Sequence, residues 1–202
     1  MRRLARSLTA RLVAAALLSA TVVVSAAEPE DTSKAPRSTL FVGLDTSGSF
    51  KAAYEDAVTF VAHYLYGHMH ELGGLSKPRD LFVTAIGGKD NHEPKSFHPI
   101  HEFNNKDVKQ IEADLKKWFP ATDTLTDFNV FFQQVARHVK ERNLVLAPIT
   151  VMVVSDGVPD VPDGSIKSGS PASYQRIDLS PLDYLSKSVT VRLVYRGPEL
   201  RD

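Results

Sequence analysis

The segment Asp45-Thr46-Ser47-Gly48-Ser49 sets one carboxylate and two hydroxyls at alternate positions, so all three can leave a single turn in one direction. Ser155-Asp156-Gly157 offers a second carboxylate, and Thr122-Asp123-Thr124-Leu125-Thr126-Asp127 places threonine hydroxyls between the two. Together these groups make an all-oxygen shell. Magnesium prefers such ligands in octahedral geometry at about 2.0–2.1 Å and usually keeps some waters. Manganese and calcium favour the same donors, whereas zinc and copper are disfavoured without His or Cys in the set. Each segment alone has a plainer reading, because Asp and Ser form turns and helix caps, and Ser49 could simply cap a helix that follows it.

The flanking sequence supplies elements able to bring the three segments together. Val189 to Tyr195 reads as a final strand, and Thr39 to Leu44, Asp80 to Ile86 and Ile149 to Val154 are near-continuous apolar runs of strand formers. Continuous runs of this kind mark strands buried on both faces of a parallel sheet. A weaker strand is predicted over 95–101, where Pro99 would confine it to a sheet edge. Helical spacing links Ala53, Ala57, Phe60, Val61, Tyr64, Leu65 and Leu72 over residues 50–72, with Gly73-Gly74 as the stop. Asn105 is placed to cap a helix carrying Val108, Ile111, Leu115 and Trp118. Another helix carries Phe128, Phe131, Phe132, Val135 and Val139, and Ser180-Pro181 opens a short one. Residues 157–180 read as a long Gly, Pro and Ser-rich loop. Strands alternating with helices predict an α/β fold, a doubly wound and mostly parallel central sheet flanked by helices. Ligands of such sheets bind outside the carboxyl ends of the strands, which is where all three segments fall.

The chain has 202 residues, 24 Lys+Arg against 24 Asp+Glu, and no cysteine. That composition excludes a disulfide scaffold, a thiol nucleophile and a disordered charged tail, and it makes nucleic acid an unexpected partner. The neutral balance divides unevenly. Arg2, Arg3, Arg6 and Arg11 are the only charges before Glu28, and behind them run thirteen apolar or small residues, Leu12 to Val24, ending in Ser25-Ala26-Ala27. This is the three-part pattern of a secretory signal, with cleavage predicted after Ala27, and the run is shorter than the roughly 20 residues that span a bilayer. The expected organisation is a signal peptide over 1–27, a flexible leader over 28–38 and one domain over 39–202. The exported protein, periplasmic or secreted, then carries a net charge of −4 and no membrane segment, since cleavage removes four of the 24 basic residues.

The three segments, each at the end of an apolar strand or the start of a helix, resemble the von Willebrand factor type A domain and its metal-ion-dependent adhesion site. The matches are Asp45, Ser47 and Ser49, then Thr126, then Asp156. The family often has Gly-Gly before its threonine, whereas Thr124-Leu125 stands here, so Thr124 is the competing candidate. The lead that Phe128, Phe131 and Phe132 keep on Thr126 favours the latter. The resemblance covers roughly residues 38–196. It implies a domain short of the family's last strand and helix, or one whose edge a partner completes. It also implies binding in place of catalysis: a magnesium ion with one open position, filled by an Asp or Glu carboxylate of a partner protein. Two site carboxylates offset a divalent cation without making the centre anionic.

Other functional classes fit less well. Ser at position 47 breaks an Asp-x-Asp phosphoryl-transfer motif, and no Gly-x-Ser-x-Gly elbow surrounds it, so a metal-assisted hydrolase is the weaker alternative. A structural adapter with a vestigial metal site is another. His68 and His70 lie two apart and share no helix face, and His98 and His101 sit in a Pro-containing stretch without a fixed geometry, so both pairs read as surface or loop histidines.

Overall fold

The structure, a computed structural model, describes residues 38–90, 92–160, 165–185 and 188–195. They belong to the second of two compact units, Pro36–Asp202. The expected signal peptide over 1–27 and nearly all of the leader lie outside the described residues. The strands are β1 (Thr39–Asp45), β2 (Asp80–Ile86), β3 (His98–Pro99), β4 (Ile149–Ser155) and β5 (Val189–Tyr195). The helices are α1 (Tyr54–Met69), α2 (Val108–Trp118), α3 (Phe128–Glu141) and the single turn α4 (Pro171–Tyr174). Tight 3-10 turns occupy Ser49–Ala52, Ile100–Phe103 and Ser180–Leu185.

The sheet runs β3-β2-β1-β4-β5, with β1, β2, β4 and β5 parallel and β3 antiparallel to β2. This is the doubly wound α/β architecture that the apolar runs predict. β1 is buried along its whole length because it lies between two parallel neighbours and beneath helices on both faces. Its even-numbered side chains, Leu40, Val42 and Leu44, join Val58, Val61 and Leu65 of α1 and Ile111 and Leu115 of α2 in one core. On the opposite face Phe41 packs with Phe131, Val135 and Val139 of α3 and with Leu182 and Leu185. The alternation follows from the two-residue period of a strand. Burying each such aliphatic or aromatic side chain stabilises the fold by about 1.5–3 kcal/mol before the entropy of ordering is charged.

Gly43 faces α3, and there only a glycine fits. A Cβ at that position would lie 2.5 Å from Ile86 Cδ1 and 2.8 Å from Phe131 Cε2. The missing side chain lets α3 settle against the centre of the sheet and so fixes the height of the loop that precedes it.

Several local expectations shift. The strand expected over 95–101 shortens to His98–Pro99, at the sheet edge where proline costs no ladder bond. The first helix starts at Tyr54 and stops at Met69, leaving Phe60 41% and Leu72 50% exposed, outside the core. Asn105 does not cap α2. It takes a left-handed conformation, φ 59°, in the turn before it. The cap is Asp107, whose carboxylate accepts Gln110 N–H at 2.8 Å while the Gln110 side chain accepts Asp107 N–H at 2.9 Å. The stretch 157–180, expected as loop, contains α4, capped by Ser170. Among the described residues the sheet ends at β5, where Val191, Leu193 and Tyr195 are exposed. No helix among the described residues is long and apolar enough to cross a membrane.

Candidate metal centre

The helices α1 and α2 cover one face and α3 the other, so the winding reverses between β1 and β4, whose carboxyl ends lie side by side. Asp45 is the last residue of β1, and Ser155 is the last of β4. The Asp45 side chain is fully buried, and both of its oxygens are engaged. Oδ1 accepts the Ser47 backbone N–H at 2.8 Å, closing the turn, and Oδ2 accepts the Ser155 hydroxyl at 2.6 Å. Ser155 Oγ in turn accepts Gly157 N–H at 2.9 Å, which tethers the loop carrying Asp156.

That turn brings the two serine hydroxyls together, Ser47 Oγ and Ser49 Oγ lying 3.2 Å apart. Ser47 is buried and Ser49 exposed. The capping reading of Ser49 does not hold: Gly48 occupies the cap position of the 3-10 turn and Ala53 that of α1, neither with a side-chain cap bond. Asp156 is half-buried, and its Oδ1 accepts Val158 N–H at 3.0 Å.

The two candidate threonines part ways. Thr124 is exposed, and its hydroxyl donates to the carbonyls of Gly88 and Lys89 at 3.3 and 3.2 Å. Thr126 is fully buried, and its Oγ1 has no hydrogen-bond partner. Its backbone, by contrast, is held twice by one residue: Thr126 N–H donates to Asp160 Oδ2 at 2.8 Å, and Asp160 N–H donates to the Thr126 carbonyl at 3.1 Å. A buried hydroxyl left without a partner costs about 1–3 kcal/mol. Thr39 Oγ1, at the far end of β1, is unpartnered too, but Thr126 is the one placed among the candidate ligand loops.

Electrostatics point the same way. Burial pushes the Asp45 carboxyl up to about 6; the hydrogen bonds from Ser155 and Ser47 oppose the rise, and the nearby Asp156 charge adds to it. A carboxylate pressed out of water beside a second carboxylate is stabilised by a cation. With the unpaired Thr126 oxygen and the two serine hydroxyls, the donors are all hard oxygens, and they fit magnesium.

The geometry therefore joins Asp45, Ser47, Ser49 and Asp156 directly or through their field. It ties Thr126 to the loop after β4 by way of Asp160. Sequence reasoning assigned no role to Ser155, Asp123, Lys95 or Asp160. Ser155 stands in the Ser-Asp-Gly segment, one residue before a candidate ligand, and that adjacency is its signal. Asp160 follows in a proline-rich run and carries no local signal. Two of the paired histidines have local partners: His98 stacks on Trp118 at 4.1 Å and bonds Glu102, and His68 Nδ1 lies 2.7 Å from the Ser76 carbonyl oxygen.

No family model and no curated protein matches this sequence. Solved structures of similar shape include proximal thread matrix protein 1 from the mussel byssus, at 13% identity and TM-score 0.47, covering 80% of this chain and 39% of that one. The von Willebrand factor domain of the type V pili tip protein Mfa5 from Porphyromonas gingivalis has 14% identity and TM-score 0.36 over 61% of this chain and 39% of that one. The SpRpn10 VWA domain has 10% identity and TM-score 0.34 over 82% and 92%. The chain thus spans well under half the length of the first two. At these identities and scores, the α/β class rests on the strand order and register described above.

Proposed function

We propose that this protein is an exported binding module of the von Willebrand factor A type, holding a magnesium ion at Asp45, Ser47, Ser49, Thr126 and Asp156 and capturing an acidic residue of a partner protein. The observation that carries this reading is the buried, unpartnered hydroxyl of Thr126, in a loop tied to the one that carries Asp156. Bound there, the ion supplies an open, positively charged coordination position for a carboxylate. The chain's own groups do the remainder. Ser155 holds Asp45 in place through its 2.6 Å bond, the Asp45–Ser47 turn presents both serine hydroxyls, and Asp160 fixes the Thr126 backbone.

Isothermal titration with magnesium is the direct test, repeated with manganese and calcium. Wild-type protein is expected to bind with one site, and Asp45→Ala and Thr126→Val to lose that binding while circular dichroism shows them folded. A folded wild type that takes up no divalent cation would overturn the metal reading. A pull-down that survives Asp45→Ala unchanged would instead favour a metal-independent adapter.

A further inference from the structure

Asp123 is a buried carboxylate immediately beside the first ligand turn. Its Oδ2 accepts the Thr46 hydroxyl at 2.6 Å, its N–H donates to the Thr46 carbonyl at 3.2 Å, and it forms a parallel bridge with Ser47. Thr46 lies between Asp45 and Ser47 in the chain, so Asp123 grips the turn from behind. The grip is close: a Cβ at Gly87 would stand 2.8 Å from Thr46 Oγ1 and 2.9 Å from Asp123 Oδ2. The other oxygen of Asp123 faces Lys95, whose Nζ donates to Oδ1 at 3.2 Å and to Glu93 Oε1 at 3.0 Å. Glu93 is anchored in turn by the Lys89 N–H at 2.8 Å.

Resting on the magnesium reading above, we propose that Lys95 sets the ligand preference of the centre by neutralising Asp123. Asp45 and Asp156 balance a divalent ion, so a third carboxylate this close would make the loaded centre negative and repel an acidic ligand. Lys95 offsets the buried Asp123 charge, and the remaining negative charge of the trio sits on Glu93, the more exposed of the two carboxylates. The Thr46 bond and the Lys95 contact engage the two Asp123 oxygens, which makes this carboxylate a positioning residue for the ligand turn. With the buried Asp123 charge offset, the loaded centre accepts an anion.

The two effects separate in a charge-removal experiment. Lys95→Met leaves Asp123 uncompensated, so magnesium alone should bind at least as tightly as to wild type, while acetate titrated into the magnesium-loaded protein should bind about threefold or more weakly. Acetate binding is read from NMR shifts of the Ser49 and Gly157 amides. The acetate defect should shrink as sodium chloride is raised. Lys95→Arg should keep both affinities, and the neutral pair Lys95→Met with Asp123→Asn should restore acetate binding. A merely structural role would weaken magnesium and acetate together in Lys95→Met, and that result overturns the proposal, as does unchanged acetate affinity. Wild type that fails to bind magnesium overturns the metal reading itself, a separate outcome.

Discussion

Ser155 and Asp45, 110 residues apart in the chain, meet at the carboxyl ends of two adjacent parallel strands through a hydrogen bond of 2.6 Å. The bond satisfies one oxygen of a fully buried carboxylate, and a hydrogen bond to a charged group contributes about 1.5–3 kcal/mol. Ser155→Ala is therefore expected to lower stability at pH 7 by about 2 kcal/mol in urea denaturation. It should also weaken magnesium binding, because the Asp45 carboxyl loses a donor that favours its ionised form. Unchanged stability and affinity together would show that the bond does not orient Asp45.

The metal-free protein should become more stable on mild acidification. Burial raises the folded-state pKa of Asp45 from 3.8 to about 6, so the folded chain holds a proton there that the unfolded chain has released. Stability from this group is complete below about pH 4 and is lost as pH rises through 6, a change of about 3 kcal/mol. Asp45→Asn in chelator should lack that component between pH 4 and 6 and should exceed wild type in stability at pH 7. Magnesium binding by wild type should decline below pH 6 as protons compete for the same oxygen. A pH scan of unfolding midpoints for the two proteins checks the sign.

Thr126→Val keeps the shape of a buried side chain and removes a hydroxyl that has no partner. Metal-free stability should hold or rise by about 1 kcal/mol, while magnesium affinity falls at least about tenfold. Thr124→Val removes bonds to the Gly88 and Lys89 carbonyls at an exposed position and should leave magnesium affinity near wild type. Titration of both variants decides between the two threonines. Equal losses would count against Thr126 as the ligand.

Gly43→Ala should be costly although it adds only a methyl group. That methyl would press on Ile86 and Phe131, and forcing one into a packed core costs about 1–3 kcal/mol. Chemical denaturation measures the loss. A neutral effect would mean that α3 can retreat from the sheet, with a consequent shift of the Thr126 loop.

Much of the architecture was legible because it depends on local periodicity. The apolar runs over β1, β2 and β4 marked buried strands by their length and composition, β5 was legible as a strand although its side chains are largely exposed, and Pro99 marked β3 as an edge. The phenylalanine stripe of α3 named its buried face. Where reading failed, a nearby alternative of equal local merit won. Asn105 and Asp107 are both good caps, and only Asp107 has Gln110 three residues on to complete the capping box. Phe60 keeps helical spacing with the core of α1, yet its position on the helix leaves it partly in water.

By itself the sequence determined the strands, the alternation that makes the sheet doubly wound, and the candidate ligands Asp45, Ser47, Ser49 and Asp156 at strand ends. These follow from residue type and short-range spacing. The tertiary structure alone decided which threonine hydroxyl is buried and unpaired, and it paired Asp123 with Lys95 across 28 positions and Asp160 with Thr126 across 34. Such partners are chosen by which loop ends the sheet order sets side by side. The burial that leaves the Thr126 hydroxyl unpaired, or raises the Asp45 carboxyl, arises only when both faces of the sheet have closed over it.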